Sequence, residues 1–321
     1  MKMKDMFQIA GGSVPGTTHL LAKKNSHDAY HWIQKDDWTI ALVADGCGSA
    51  SHSEVGAKTG ALLLANILDK HIARREPLFP QSSYLPQQAF WHEVYADMLA
   101  QLRVMGNALD ENLRETMRSY FLFTLVGAII TKHQTCIFSI GDGMYALNGK
   151  VHLIEPDPGK NQPYIAYGIT GYDINRITTP SIFFRVHEYL PTKEVDQILI
   201  GTDGINDLLD AEDKNVPGKN EKVGNVSQFW VDNFYFLPSK VHTRLSRLNS
   251  ARQRIDWDQR KVDKFPGLLS DDTTLITIRK VPKPAPIPKP PKSKPNEKSI
   301  PQRKTPPPKK RNRRWARGFG L

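Results

Sequence analysis

The spacing of apolar residues changes repeatedly along this chain, and each change predicts a different element. Residues 38–44 form a continuous apolar and β-branched run, which predicts a buried strand. Ser51 and Ser53 then offer helix N-caps. Ala57, Ala61, Leu64, Leu68 and Ile72 recur at spacings of three and four, predicting a helix over 54–72. Residues 77–86 read as a loop. A second helix follows, with Trp91, Val94, Tyr95, Met98, Leu102 and Met105 along one face; this stripe reads as core packing. From residue 120 the pattern becomes that of short strands: 120–131, 135–140, 144–147 and 151–154, then 182–189 and 197–201, with 275–278 as the last. Asn148-Gly149 between two apolar runs is a strong hairpin signal. Residues 207–264 are mixed and partly helical. They hold an aromatic cluster (Phe229, Trp230, Phe234, Tyr235, Phe236) and a basic stretch, 244–260, that reads as a solvated helix face. Helices grouped between sets of hairpin-linked strands predict an α+β fold and argue against a parallel βαβ array.

Beyond residue 280 the periodicity stops. Residues 281–321 hold 13 Lys and Arg against one acid, Glu297, and 11 of the 23 prolines. The remaining chain carries 31 Lys and Arg against 32 Asp and Glu, so the net charge of +11 belongs to the tail. Such a segment buries too little apolar surface to offset the entropy of ordering. It is expected to be a disordered, extended arm after a 1–280 domain. Its basic end, with Trp315 and Phe319, is expected to dock a protein or an acidic polymer such as nucleic acid. Two cysteines, Cys47 and Cys136, make no disulfide framework and fit a reducing compartment. With no apolar stretch behind the N-terminal lysines, and no run approaching the roughly 20 residues a membrane span needs, the expected location is cytoplasmic.

The candidate chemistry lies in acids at strand ends. Asp45 and Asp203 each close an apolar run and precede a glycine, in Val43-Ala44-Asp45-Gly46 and Gly201-Thr202-Asp203-Gly204. Asp28 follows Ser26-His27, and Asp271 opens Asp271-Asp272-Thr273-Thr274. Carboxylates that converge at strand ends suit hard divalent cations, which prefer oxygen ligands and keep several waters. The chemistry this suggests is metal-assisted hydrolysis.

Taken in order over most of residues 10–280, these segments resemble the metal-dependent protein phosphatases of the PPM (type 2C) family, especially its divergent bacterial members. Gly16-Thr17-Thr18-His19 with His27-Asp28-Ala29 is similar to their opening motif. Asp45-Gly46 with the helix after it, Gly141-Asp142-Gly143, Thr202-Asp203-Gly204 and Asp271-Asp272-Thr273-Thr274 follow in the family's order. The resemblance implies a four-layer α-β-β-α sandwich of two antiparallel sheets flanked by helices. It also implies two, or with Asp142 three, Mn²⁺ or Mg²⁺ ions. Asp45 would bridge two of them, with the Gly46 carbonyl on the second, Asp203 and Asp271 on the first, and Asp28 acting through water. Hydroxide bridging the metals would attack phosphoserine or phosphothreonine directly, with His19 or His27 protonating the leaving oxygen, in a phosphoprotein that a Ser/Thr kinase had modified. Two departures stand out. His27 occupies a position usually held by Gln or Glu, and no arginine precedes the first motif. Thr18, Lys23 and Lys24 are the nearest candidates for holding phosphate. These departures raise an alternative, a pseudophosphatase that binds phosphoproteins without turnover.

Overall fold

The computed structural model describes residues 2–173, 175–177, 182–237 and 239–282; the expected basic arm from residue 283 onward lies outside the described residues. Twelve strands run along this part: β1 (Phe7–Val14), β2 (Ala29–Gln34), β3 (Trp38–Gly46), β4 (Phe123–Thr131), β5 (Gln134–Ile140) and β6 (Gly143–Leu147) come first. They are followed by β7 (Lys150–Ile154), β8 (Arg185–Pro191), β9 (Gln197–Gly201), β10 (Arg252–Asp256), β11 (Lys261–Phe265) and β12 (Thr273–Lys280). The helices are α1 (Met3–Met6), α2 (Thr17–Ala22), α3 (Ser53–Arg75), α4 (Gln88–Leu109) and α5 (Leu113–Tyr120), then α6 (Tyr167–Thr170), α7 (Asn206–Leu209), α8 (Asp232–Phe236) and α9 (Lys240–Leu248).

Two five-stranded sheets are ordered β1-β12-β9-β6-β7 and β2-β3-β4-β5-β8, and every pairing is antiparallel. They stack face to face. Ala41, Val43, Val126, Ala128, Ile198, Ile200, Ile276 and Ile278 fill the seam between them. The outer face of the second sheet packs on α3 and α4 through Ile40, Leu42, Leu64, Leu68, Trp91 and Met98. The outer face of the first packs on α8 and α9 through Leu199, Leu275, Phe234, Val241 and Leu245. The expected sandwich of two antiparallel sheets between helical layers is therefore present.

Several local expectations need correction. The predicted strand 120–131 begins only at Phe123, because the residues before it form α5. Its N-cap, Asn112, accepts from the Glu115 amide at 3.3 Å, and the helix buries Thr116 and Met117. The strand predicted at 182–189 begins at Arg185, and Ile182 and Phe184 are buried ahead of it. Helix α3 has no side-chain N-cap. Ser53 directs its hydroxyl to the Cys47 carbonyl at 2.9 Å and lies 3.2 Å from the His27 ring. The basic stretch 244–260 is not one helix face; it passes from α9 into the β10–β11 hairpin. Strand β1 escapes the apolar pattern because Gly11 and Gly12 interrupt it. Gly12 is required there, since a Cβ would sit 2.4 Å from the His242 backbone nitrogen of α9.

Helix α3 passes α5 with even less clearance. A Cβ on Gly56 would lie 1.8 Å from the Tyr120 carbonyl oxygen. Gly56→Ala should therefore cost about 3 kcal/mol of stability in urea unfolding, as overpacking against backbone does. A loss below about 1 kcal/mol would show that this contact relaxes easily. No helix among the described residues is long and apolar enough to cross a membrane.

Candidate metal centre

Strand periodicity decides which side chains meet at one end of the seam. On β3, Ala41 and Val43 face the seam and Ile40, Leu42 and Ala44 face away, so Asp45 continues the seam-facing row. Thr202 continues the row of Ile198 and Ile200 in the same way, and Thr274 that of Ile276 and Ile278. The seam thus turns from apolar to polar at this end. Acids arrive from both sheets: Asp28 and Asp45 with β2 and β3, and Asp142, Asp203 and Asp271 beside β6, β9 and β12.

Asp28 is buried. Its Oδ2 accepts from the Thr202 hydroxyl at 2.7 Å, while its Oδ1 has no partner among the described residues. Burial, then the neighbouring Asp272 and Asp203, hold its pKa well above the usual carboxylate range. Asp45 is raised well above that range too, first by burial and then by Asp28, Asp203, Asp142 and Asp271. Asp203 is raised by burial and by Asp271. Asp142 sits between two positive-φ glycines, Gly141 (+89°) and Gly143 (+132°), which turn β5 into β6 and present its carboxyl inward. Burial and Asp203 push it up to about 7, and its Oδ1 is also orphaned. Glu54 Oε2, on the first turn of α3, is a third buried carboxylate oxygen without a partner.

This arrangement is costly for the chain alone, because burial and the neighbouring acids disfavour the ionisation of Asp28, Asp45, Asp142 and Asp203. Among the described residues no group of three or more His, Cys, Asp or Glu side chains closes on a single point as a ready cage for a metal ion. The donor chemistry nonetheless fits hard divalent cations: oxygen ligands, mutual repulsion that cations would relieve, and buried oxygens with nothing to bond.

The histidines fall into different environments. His19 Nδ1 lies 2.8 Å from both oxygens of Asp272. Asp272, only 3% exposed, also accepts from the Gly16 amide at 2.7 Å and the His27 amide at 2.5 Å. A carboxylate that already accepts two N–H groups fixes His19 as the Nδ1–H tautomer. The His27 ring packs on His19 with centroids 4.3 Å apart, and burial, then His19, lowers its pKa. Thr18 donates its hydroxyl proton to the Ser270 carbonyl at 3.0 Å. Lys23 and Lys24 are exposed at the end of α2. Gly46 leaves no room for a side chain, since a Cβ would lie 2.8 Å from the Ser53 carbonyl oxygen.

Sequence reasoning passed over Asp272 as a functional residue. Its neighbour Asp271 faces the acid cluster, and Asp272 turns back to tie α2 and the Asp28 loop to β12. The signal was the acidic pair itself, and only the tertiary contacts of the turn before β12 separate the two roles.

A family model described as Protein phosphatase 2C matches residues 15–233. No curated protein matches the sequence. Among solved structures, the chain is similar to a serine-threonine phosphatase 2C from Toxoplasma gondii, with 13% identity and a TM-score of 0.50 over 86% of this chain and 95% of that one. It is also similar to the serine/threonine phosphatase Stp1 from Staphylococcus aureus, with 15% identity, a TM-score of 0.46, and coverage of 85% and 95%. A third is the catalytic domain of the serine threonine protein phosphatase PstP in complex with two manganese ions, with 15% identity, a TM-score of 0.39, and coverage of 86% and 99%.

Proposed function

The chain belongs to the protein phosphatase 2C family, the protein-serine/threonine phosphatases, and from that premise we propose that it hydrolyses phosphoserine and phosphothreonine in proteins with Mn²⁺ or Mg²⁺ held by the seam-end acids. The observation that carries this reading is the convergence on Asp45 of Asp28, Asp142, Asp203 and Asp271, drawn from both sheets. Asp45, on which all four other acids act, would hold ions together with them. Asp203 and Asp271 would serve one side, Asp28 and the Gly46 carbonyl the other, and Asp142 a third position. Bound divalent ions lower the pKa of a shared water to roughly 7 and screen the phosphate charge.

The remaining work falls to the chain's own groups. With Nδ1–H held by Asp272, His19 would act at Nε2: from its doubly protonated form it would pass the Nε2 proton to the departing seryl or threonyl oxygen and return to the Nδ1–H tautomer. His27, its pKa lowered by burial, is neutral at pH 7 and better suited to packing against His19. Lys23 and Lys24 supply point charges where a guanidinium fork would hold phosphate more firmly. Thr18, its proton committed to Ser270, braces the α2 loop beside them. Such an enzyme opposes a serine/threonine kinase, and the two free cysteines fit the reducing cytoplasm.

The test is hydrolysis of a phosphothreonine peptide with and without Mn²⁺, in the wild type and in Asp203→Asn. Turnover should require the metal and fall by about 10²-fold or more in the variant, matching the loss of several kcal/mol of charge stabilisation. Full activity in the variant, or activity indifferent to chelation, would refute the metal reading. Absence of turnover in the wild type at any Mn²⁺ or Mg²⁺ concentration would replace the enzyme with a phosphoprotein-binding module.

A further inference from the structure

Away from the acid cluster, charge is concentrated in one lobe. Residues 214–264 carry eleven Lys and Arg against five Asp and Glu, while the rest of residues 1–280 carries twenty against twenty-seven. Most of this lobe lies beyond residue 233, where the match to the family model ends. Its outer part is the β10–β11 hairpin, a two-stranded sheet separate from the sandwich. Facing it is the 215–222 turn, closed by the Asn215–Lys222 bridge.

Between turn and hairpin lies a cleft of about 410 Å³ lined by Asn215, Lys219, Asn220, Arg254 and Phe265. Not all of its cations are neutralised. Glu221 pairs with Arg244 at 2.7 Å and Arg247 at 2.5 Å, so this one acid serves two arginines. Arg252 packs against Gly218, and its Nε is buried with no hydrogen-bond partner among the described residues. Arg254 lies over the Phe265 ring and gives one N–H to Asp263 at 3.1 Å, and its side chain is 73% exposed. Desolvation and the nearby Arg247 and Arg252 lower the pKa of Lys219, as crowded like charges do. Trp257, Ile255 and Val262 stand exposed on the same hairpin.

The hairpin is rooted in the active-site loops. Asn249, just before it, donates from Nδ2 to the Pro15 carbonyl at 2.8 Å and accepts the Leu269 amide at 3.0 Å. The Leu269 carbonyl in turn accepts from the Thr17 amide at 2.9 Å. Pro15 and Thr17 lead into His19, and Leu269 into Asp271.

Resting on the phosphatase reading above, we propose that this cleft is a docking subsite for an acidic segment of the substrate phosphoprotein, separate from its phosphorylated residue. Carboxylates match the arginine fork in charge and shape. The exposed Trp257, Ile255 and Val262 add apolar contact for the peptide that carries them. Because the cleft and the acid cluster share the same loops, one polypeptide can engage both, and the second contact then forms intramolecularly at high effective concentration. Substrates with an acidic run would be selected through KM, leaving the chemical step untouched.

The experiment uses the full chain throughout, so that the basic arm contributes equally to every measurement. Binding of a fluorescent, unphosphorylated peptide bearing an Asp/Glu run is measured by anisotropy for the wild type, for Lys219→Glu/Arg254→Glu and for the conservative Lys219→Arg/Arg254→Lys. The charge reversal should raise Kd roughly tenfold, and the charge-keeping pair should lose less, its remaining loss reflecting the missing Arg254 fork. KM for a phosphothreonine peptide with the same run should rise in parallel, while its kcat and the turnover of p-nitrophenyl phosphate stay unchanged. Equal binding by wild type and reversal would overturn the proposal. So would a larger loss for labelled single-stranded DNA than for the peptide, which would make the lobe a nucleic-acid surface. If peptide binding behaves as expected but no phosphoester is turned over, the subsite stands and the phosphatase reading falls.

Discussion

Asp45→Asn is expected to lower turnover of a phosphothreonine peptide by roughly 10³-fold while making the metal-free protein more stable. The first effect follows from the proposed function, in which Asp45, the acid all four others act on, would hold ions that supply several kcal/mol of transition-state stabilisation. The second follows from the sign of its pKa shift. Asp45 sits well above the usual carboxylate range when folded, through burial and four neighbouring acids. The folded chain therefore holds a proton that the unfolded chain releases, and metal-free stability falls as pH rises from the ordinary Asp value near 4 toward the raised one. Asp142, pushed up to about 7, adds a burden of the same sign over pH 4 to 7. At neutral pH Asp45→Asn removes its share. The melting temperature in EDTA should exceed that of the wild type, by a margin that shrinks toward pH 4. Saturating Mn²⁺ at about 100 Kd should stabilise the wild type by about 2.7 kcal/mol and the variant far less. A variant that melts below the wild type in EDTA would contradict this account of the site's electrostatics.

Asp272→Ala should have the largest effect on folding of any change at the site, about 3–5 kcal/mol. One buried carboxylate accepts the amides of Gly16 and His27 and holds His19 Nδ1. Truncation strands two main-chain donors and releases the ring that α2 carries. Urea unfolding in EDTA separates this loss from any change in ion binding, and an unchanged m-value would show that the native state itself was weakened. A cost below about 1 kcal/mol would mean that water takes over all three bonds, and that Asp272 is a bystander. Turnover should fall as well, because His19 would lose the partner that sets its tautomer.

Asp45 was legible in the sequence because it follows a seam-facing apolar run, where period two places the next polar residue in the site; Asp203 was legible only through its Thr-Asp-Gly turn, since the seam-facing row of β9 passes through Thr202. Asp272 was not, because two adjacent acids give no local clue to which one points inward; the distant Gly16 and His27 amides and the His19 ring that meet Asp272 decide it. Helices α3 and α4 were legible through their spacing. Helix α5 was hidden, since its apolar end merges with the run that becomes β4. The β10–β11 hairpin was hidden for a different reason. Its alternating cations and acids bury almost nothing, so no hydrophobic period marks it.

The cross-sheet bonds at the site have a mechanical consequence. Thr202 to Asp28 and His27 to Asp272 each join a residue carried by one sheet to a residue carried by the other. Elsewhere the seam is mainly apolar contact, which resists separation but tolerates sliding, with ties from Tyr145 to Glu188 and from Gln34 to the Phe7 carbonyl. At this end it is pinned, and the same pins stand between two carboxylates on one side and three on the other. With those charges unbalanced, the pins work against the repulsion of the acids, which acts as a wedge. Once the charges are balanced, the wedge becomes a clasp. The end of the molecule where the acids crowd then fixes how the two sheets are aligned.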